Sequence, residues 1–518
     1  MRHSSDAGRG SGNATRGALA ACLLLALALL GACSQPAAPP PATGVAASAA
    51  TPASAPTEHY LIGVLPLATE GGAPAYLGDG IARHVSDALA RTPALATVAP
   101  ASAFRLRDSS ELTPRIGERL GATHLLRGKL EQRGDRLLLD LDFVRASDGQ
   151  TLWHETLDRS AAELPGLADA IAAGIAKALK VTRSPAARAS DIPPSGSALA
   201  YDTLLKGEWA VQRGDAASLQ AALGFFANAI TIDPLWGRPH AMQALVRLRQ
   251  LAQRDPAAGP IEPLREQARL DAEAALKLDP DDPLAHRVRA LWLGDVALDA
   301  VSAEQEVRDG LALQPDDPAL LGMLAVRQIG FGQMDAAAAT LRQALQRDLL
   351  SAPMLYQMGY VELALADYSQ AEAALRQARD LEPAMPLVNA FLAVALFQQS
   401  RTREAIDAAR NEPLPLWRDY ALAMAYWAAG DRANSDTALQ SLIRDHGSDA
   451  PTQIAGIYAQ RDDREALFHW LDVARRSGDP GIVEIRYMPF VARYSDDPRF
   501  KAILSDLDIA GSGAPTGK

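Results

Sequence analysis

The stretch SAPMLYQMGYVELALADYSQAEAALRQARDLEP, residues 351–383, carries two apolar patterns of helical period separated by a short break. Leu355, Met358 and Gly359 fall on one face of the first half, and Ala371, Leu375 and Ala378 on one face of the second. Small residues at such crossings let two helices approach to about 8–10 Å. The stretch predicts a helix–turn–helix unit that cannot bury its apolar faces alone and needs neighbours of the same kind.

Those neighbours are present on both sides. The phrase "ARDLEP" that ends the stretch has counterparts in "AITIDP", "ALKLDP" and "GLALQP", which place prolines at 234, 280 and 315. In "ALQRDL" the equivalent position is Leu349, so the last three steps to Pro383 are 35, 34 and 34 residues. A helical-hairpin repeat of that period is the tetratricopeptide (TPR) signature. In "DPDDPLAH" and "QPDDPALL", Asp282 and Asp317 precede Pro283 and Pro318, an N-cap followed by proline in the first helical turn. About eight units are expected over 198–478, the first two with insertions and the last three degenerate. The wider step of 46 residues from 234 to 280 is filled by "AQRDPAAGPIEP", read as a longer loop between helices.

Upstream the pattern changes to mixed α/β, so the fold class read from the chain is a small amino-terminal α/β domain, 59–182, followed after a linker (183–197) by an all-α solenoid. "YLIGVLPL" reads as a buried strand and "ALATVAP" as a second short one. "AYLGDGIARHVSDALA" between them reads as a helix starting near Asp79 or Gly80, with Ile81, Val85, Ala88 and Leu89 inward. "LTPRIGERLGA" places Pro114 in a first helical turn and Gly121 at the helix end. From Thr123 to Asp158 a three-stranded meander reverses at Gly134-Asp135 and Asp148-Gly149, with Leu137, Leu139, Leu141 and Phe143 on one face. "ELPGLADAIAAGIAKALK" closes the domain as a helix.

The ordered phrases "YLGDGIARHV", "LGATHLLRG" and "SDGQTLWHE" resemble the TolB amino-terminal-like domain that precedes tetratricopeptide repeats in many bacterial proteins, among them fusions to adenylate cyclase or winged-helix DNA-binding domains. The resemblance spans roughly 59–180. Neither fused domain is found in residues 1–58, so it carries over neither cyclase activity nor a transcriptional role. The tail "GDPGIVEIRYMPFVARYSDDPRFKAIL" is similar to the end of the same cyclase-associated repeat proteins. Residues 479–510 read as a cap on the last repeat, as a solenoid requires, with Tyr487, Phe490, Phe500 and Leu504 as anchors, and 511–518 as a disordered tail.

The first residues give an address. Arg2, Arg9 and Arg16 precede an apolar run from Gly17 to Ala32, shorter than the ~20 residues that span a bilayer. Leu30-Gly31-Ala32-Cys33 resembles a bacterial lipobox, which implies a cleaved signal (1–32) and a lipid on Cys33. The alternative is an uncleaved anchor. Either way the bulk of the chain lies outside the cytoplasm. Besides Cys33 the chain has only Cys22, inside the signal, so the mature protein keeps no second thiol for a disulfide or a metal. Ser34 in place of Asp resembles the signal for the outer membrane of Gram-negative bacteria, and the Pro/Ala-rich segment 33–58 reads as a tether.

The formal net charge is −11, and cleavage would remove three arginines and one aspartate. A surface this acidic, without a clustered basic face, argues against nucleic acid. The histidines show no metal-ligand spacing; "HETLD" at 154 lacks the second histidine of a zincin, and no Walker A loop, nucleophile elbow or dinucleotide fingerprint is found. No catalytic residues, metal or cofactor are expected. "YLGDGI" is read either as an anion site at a helix start or as an ordinary cap, and Asp140 with Asp142 either as a cation site or as a solvated sheet face.

In tetratricopeptide proteins, first-helix positions 2, 5, 9 and 12 line the concave face where peptides dock. That register selects Trp292, Tyr356, Tyr360, Val394, Phe397, Tyr420, Met424 and Trp427, aromatic and apolar as at protein–protein hot spots. The Lys and Asn of the carboxylate-clamp subfamily are missing from these places. The rings are expected to contact a protein or peptide partner, or else to fill the interior of a tight superhelix. The function read from the sequence is a membrane-anchored, periplasm-facing scaffold without catalysis. The alternative is an envelope sensor whose α/β domain binds a small ligand and signals through the repeats.

Overall fold

A computed structural model describes residues 60–511 apart from 93, 183–190 and 254–259. Cys22, Cys33, the tether, the tail beyond 511 and most of the 183–197 linker lie outside the described residues, as does the middle of the expected long loop after Gln253. The chain divides into two compact bodies, one of residues 60–320 with 346–350 and one of 321–345 with 351–511.

The first body begins with a mixed sheet. β1 (Tyr60–Val64) pairs in parallel with β3 (Leu95–Thr97) on one side and with β4 (His124–Arg133) on the other; β2 (Ala68–Glu70) also runs parallel to β4. β4, β5 (Arg136–Arg145) and β6 (Thr151–Ser160) form the meander, giving the order β3-β1-β4-β5-β6. Gly134 and Gly149 take left-handed conformations at the two reversals, where a side chain would be strained. Leu137, Leu139, Leu141 and Phe143 are all buried and face helices α1 (Ala75–Ala90) and α4 (Leu164–Ala178). The opposite face is covered by α2 (Pro100–Phe104) and α3 (Thr113–Leu120), packed through Ala103, Ile116 and Leu120 onto Leu125 and Val144. α3 ends at Gly121 with φ 62°, the residue expected as its stop.

One expectation in this domain is corrected. α1 starts at Ala75, after Pro74, so "GDG" lies inside the helix and not at its mouth. Gly78 is required by packing, because a Cβ there would collide with the carbonyl oxygen of Leu67. Asp79 is buried and takes both terminal nitrogens of Arg107, at 2.6 and 2.7 Å. Its carboxylate is therefore committed, which removes the anion-site reading. Asp140 and Asp142 lie on the exposed sheet face beside His154, whose Nδ1 is 3.1 Å from Asp142.

The rest of this body is helical hairpins: Ala198–Arg213 with Ala216–Ile232, Gly237–Gln253 with Ile261–Leu278, and Pro283–Leu291 with Ala300–Leu313. Asp282 caps its helix through Leu284 N–H, and Asp317 accepts from Leu320 N–H. The sheet's inner face, α1, α4 and the hairpins share one continuous apolar core running from Ile62 to Val288. Residues 346–350 join this body: Ser102 Oγ donates to Asp348 at 2.5 Å, Ala99 N–H to the Arg347 carbonyl, and Leu350 packs beside Val98 and Leu120.

The second body is hairpins throughout: Met334–Leu345 following the end of Pro318–Gly330, then Ala352–Ala364 with Tyr368–Leu381, Val388–Gln398 with Thr402–Arg410, Pro415–Ala428 with Arg432–His446, and Pro451–Gln460 with Arg464–Ser477. A left-handed residue stands before each second helix: Gly332, Ala366, Ser400, Gly430 and Asp462, the first three 34 residues apart. At three of these turns an aspartate follows and caps the helix, Asp367 to Gln370 N–H, Asp431 to Asn434 N–H and Asp463 to Ala466 N–H. The fold is thus a tetratricopeptide-type helical array preceded by a small α/β domain. Among the described residues no helix is long and apolar enough to cross a membrane.

Candidate functional site

The residues selected by repeat position fall into both bodies. Trp292 belongs to the first, in the π-helical turn Trp292–Val296; its indole N–H donates to the Arg265 carbonyl at 3.3 Å and Arg289 lies over its ring at 5.1 Å. The others lie on successive first helices of the second body. Tyr356, Val394, Phe397, Tyr420 and Met424 are all less than 9% exposed, whereas Tyr360 and Trp427 are partly exposed.

Two rings that the register missed connect them. Phe391 sits 5.9 Å from Tyr356 and 5.5 Å from Tyr360, edge-on to the latter; it then meets Trp417 at 5.7 Å, which in turn meets Tyr420 edge-on at 5.7 Å. The result is an aromatic ladder across three repeats, in the tilted and edge-to-face geometries that the ring quadrupole favours. Phe391 is position 6 counted from Pro386 and position 4 counted from Val388, where the helix begins; only a count from the left-handed cap residue Leu387 puts it at position 5, so the register passed over it. Trp417 stands at position 2 when counted from Leu416, so the rule applied at every position would have found it.

Trp427 has a different setting. Its ring is held between two guanidinium groups, Arg432 at 3.3 Å and Arg461 at 4.6 Å, and Arg461 is tied to Asp436 at 2.7 Å. It marks the edge of the ladder where apolar packing gives way to charge.

The face of these first helices is covered from within the same body. Beyond Ser477 the chain forms a short 3₁₀ turn, Pro480–Glu484, and a single helical turn, Pro489–Ala492. Phe490 stacks on Phe397 with centroids 5.9 Å apart. A Cβ on Gly456 would lie 2.6 Å from the Met488 methyl, and one on Gly332 would collide with the Tyr487 hydroxyl. The Tyr360 hydroxyl faces the Glu484 carboxylate, whose Oε1 is shut off from solvent without a hydrogen-bond partner. Burial raises the Glu484 pKa to about 7, with Tyr360 pulling it down and Asp479 pushing it up. Burial likewise raises Tyr360 and Tyr420 far above the ordinary phenol range, with the Glu484 charge adding to it. Of the expected cap anchors, Phe500 is buried with Leu504 packed beside it, while Tyr487 and Phe490 reach the earlier repeats.

Charged clusters also lie in the first body. His84, fully buried on α1, has Glu208 at 3.0 Å on Nε2 and the Tyr201 hydroxyl at 2.5 Å on Nδ1, with Asp191 3.4 Å away. Arg238 pairs with Asp282 at 3.3 Å and Asp87 at 3.6 Å. Neither His84 nor Glu208 stood out in the sequence, because a histidine on an apolar helix face carries no local signature. His286, Glu306 and Asp309 form a cluster of metal-binding residue types. The His286 ring is already committed, however, Nδ1 to Glu306 at 2.8 Å and Nε2 to the Pro280 carbonyl at 2.9 Å.

No family model and no curated protein matches the sequence. Among solved structures, the chain is similar to Pseudomonas aeruginosa PilF, with 19% identity over 43% of this chain and 97% of that one, at a TM-score of 0.36. It is similar to PilW, a type IV pilus biogenesis factor, with 16% identity over 41% and 96% at 0.34. It is similar also to the human IFIT1 dimer with PPP-AAAA, with 16% identity over 59% and 76% at 0.36. Each likeness is one of helical-repeat architecture.

Proposed function

We propose that this chain is a lipid-anchored scaffold of the bacterial envelope, without catalytic activity, that binds a protein segment on the first-helix face of its carboxy-terminal repeats. The observation that carries the reading is the ladder Tyr360–Phe391–Trp417–Tyr420, apolar surface continuous over three repeats and not confined to one hairpin. Aromatic continuity of this kind supplies a binding surface with few side-chain rotamers to lose. The address rests on Leu30-Gly31-Ala32-Cys33 and the tether behind it. A diacylated, amino-acylated Cys33 satisfies the need for more than one chain in stable anchoring. In this reading the α/β domain, similar to the TolB amino-terminal-like family, stands nearest the membrane, and the chain faces the periplasm from the outer membrane.

The test has two arms. Cys33→Ser is expected to abolish incorporation of labelled palmitate and to move the chain out of the membrane fraction; unchanged fractionation would refute the address. Photocrosslinkers at Tyr360 and Trp427 in growing cells are expected to capture one envelope protein reproducibly. Capture of nothing at either position, or equal capture of the same protein by a crosslinker on the exposed face of the sheet, would refute the scaffold.

A further inference from the structure

The face that the repeats build is already filled. The segment after Ser477 leaves the hairpin pattern and is held chiefly by side chains that reach four hairpins in turn: Met488 at Gly456, Phe490 at Phe397, Glu484 at Tyr360 and Tyr487 at Gly332. A methyl group at Gly456 or Gly332 would have to push aside the tip of Met488 or Tyr487, so these two glycines make room for the occupant as it sits. A cap needs to cover only the last apolar face of a solenoid. Phe500 and Ile503 do that against Leu467 and Leu471 together with Ile482, Ile485 and Val491 of the segment, whose remaining side chains reach past the last hairpin to the earlier ones.

We propose that residues 480–493 are a built-in ligand of the first-helix face, and that a partner binds by displacing them with a segment of the same chemistry, an aromatic–methionine–aromatic core bearing one carboxyl group. The built-in occupant supplies the partner's chemistry: Tyr487, Met488 and Phe490 for the apolar positions and Glu484 for the acid. This rests on the reading that the first-helix face is the binding surface.

The segment is poised for release. Its elements are a five-residue 3₁₀ turn and a four-residue helix, too short to be stable without their contacts. It also carries an acid into a place where ionisation is costly. The groups facing Glu484 are Tyr360, with Tyr356 behind it, from the 352–364 helix, Tyr420 from the 415–428 helix, and Asp479 on its own segment; Arg486 is turned to the Tyr487 ring. Among the described residues, the groups that modify the effect of burial on Glu484 are Tyr360 and Asp479, neither of them a cation. Docking of the segment is therefore tightest with Glu484 neutral and loosens as pH rises through about 7.

The experiment uses the full-length chain in detergent and a fluorescent synthetic peptide of residues 479–493 carrying Glu484→Gln, so that the probe itself has no titrating acid. Between about pH 6 and about pH 8.5 the peptide's affinity for the wild-type chain is expected to rise roughly tenfold, as the built-in segment ionises. A chain carrying Glu484→Gln is expected to bind it weakly at every pH. A chain with Met488→Ala and Phe490→Ala is expected to bind it about tenfold tighter than wild type near pH 6. Equal affinity of wild type and Glu484→Gln across the range overturns the proposal, as does failure of the double variant to bind while its far-UV helical signal is intact. If the double variant misfolds, the first comparison alone decides. Concentration-dependent dimerisation of the double variant would identify the occupant as a second copy of this chain and overturn the partner claim. If exchange occurs as expected while the crosslinkers capture nothing in cells, the scaffold fails and the built-in ligand stands.

Discussion

Nε2 of His84 on α1 lies 3.0 Å from Oε2 of Glu208 on the first repeat helix, with side-chain exposures of 0% and 5%. The pair joins the α/β domain to the repeats by a charge interaction inside the core. Burial by itself lowers the His84 pKa, but Glu208, Asp191 and Asp87 together raise it above the ordinary value. Burial opposes ionisation of Glu208 in the same way, and His84 with Arg238 overrides it, bringing the acid down to about 2.

The pH dependence of the first body follows from those directions. The raised histidine contributes fully below its unfolded pKa of about 6.5 and loses its contribution as pH rises through its folded value. The depressed glutamate contributes above its unfolded value of about 4.3 and loses its contribution as pH falls toward 2. Denaturant unfolding of the full-length chain should show this body most stable between about pH 4.5 and about pH 6.5. His84→Ala, which leaves Glu208 buried without its partner, should cost about 3–5 kcal/mol within that window.

The second body responds to pH in the opposite sense at its acid. Glu484 has a folded pKa raised to about 7, so its contribution is present below its ordinary value and is lost as pH rises through 7. Up to about 3 kcal/mol is at stake, at 1.36 kcal/mol per pKa unit. Tyr360→Phe removes the hydroxyl that favours the ionised carboxylate, which should add about 1–3 kcal/mol of destabilisation at pH 8 and much less at pH 5. Thermal unfolding at the two pH values reads the difference, and Glu484→Gln should abolish it.

At the turns, Ala366 and Ser400 hold φ of 61° and 64°, in the region that L-residues with a side chain avoid. Ala366→Gly and Ser400→Gly should each raise stability by about 1 kcal/mol by relieving that strain. Gly332→Ala should cost more than the backbone strain of about 1–2 kcal/mol, because its methyl group also evicts the Tyr487 hydroxyl. Midpoints of chemical unfolding, with segment 480–493 monitored by hydrogen exchange, separate the two parts.

Tyr356 and Trp427 share a repeat-position rule but not an environment. Tyr356 is 8% exposed and packed on Phe391, so Tyr356→Ala should cost about 3–5 kcal/mol. Trp427 lies at the rim between Arg432 and Arg461, and Trp427→Ala should cost about 1 kcal/mol, mainly its two cation–π contacts. Loss of a partner is therefore diagnostic of binding for Trp427→Ala and inseparable from unfolding for Tyr356→Ala.

What the sequence made legible follows the range over which each signal acts. The hairpins were readable from a period of 34 residues and from Asp-Pro starts such as Asp282-Pro283, because both are local in the chain. The strands of the meander were readable from alternation at Leu137, Leu139, Leu141 and Phe143. Turns at Ala366, Ser400 and Asp462 carry no glycine, and only the repeat frame and the capping aspartates behind two of them point to a left-handed residue there. The ladder was half legible, since repeat position found Tyr360 and Tyr420, while Phe391 meets the rule only when the count starts at the cap residue Leu387, one residue from the start used. Long-range relations were silent: nothing near Glu484 announces Tyr360, more than a hundred residues earlier, although an acid inside the apolar run "GIVEIRYMPFV" is the kind of residue that asks for a partner.

The continuous core from Ile62 to Val288 bears on how this chain is to be dissected. Leu205 presses on Gly80, and Tyr201 and Glu208 close over His84, so a cut in the stretch before Ser197 divides an interior that the sheet domain and the hairpins share. A fragment ending there would wear its own greasy underside, with an imidazole stripped of its acid at the centre. Useful pieces begin at the sheet and keep the first three hairpins.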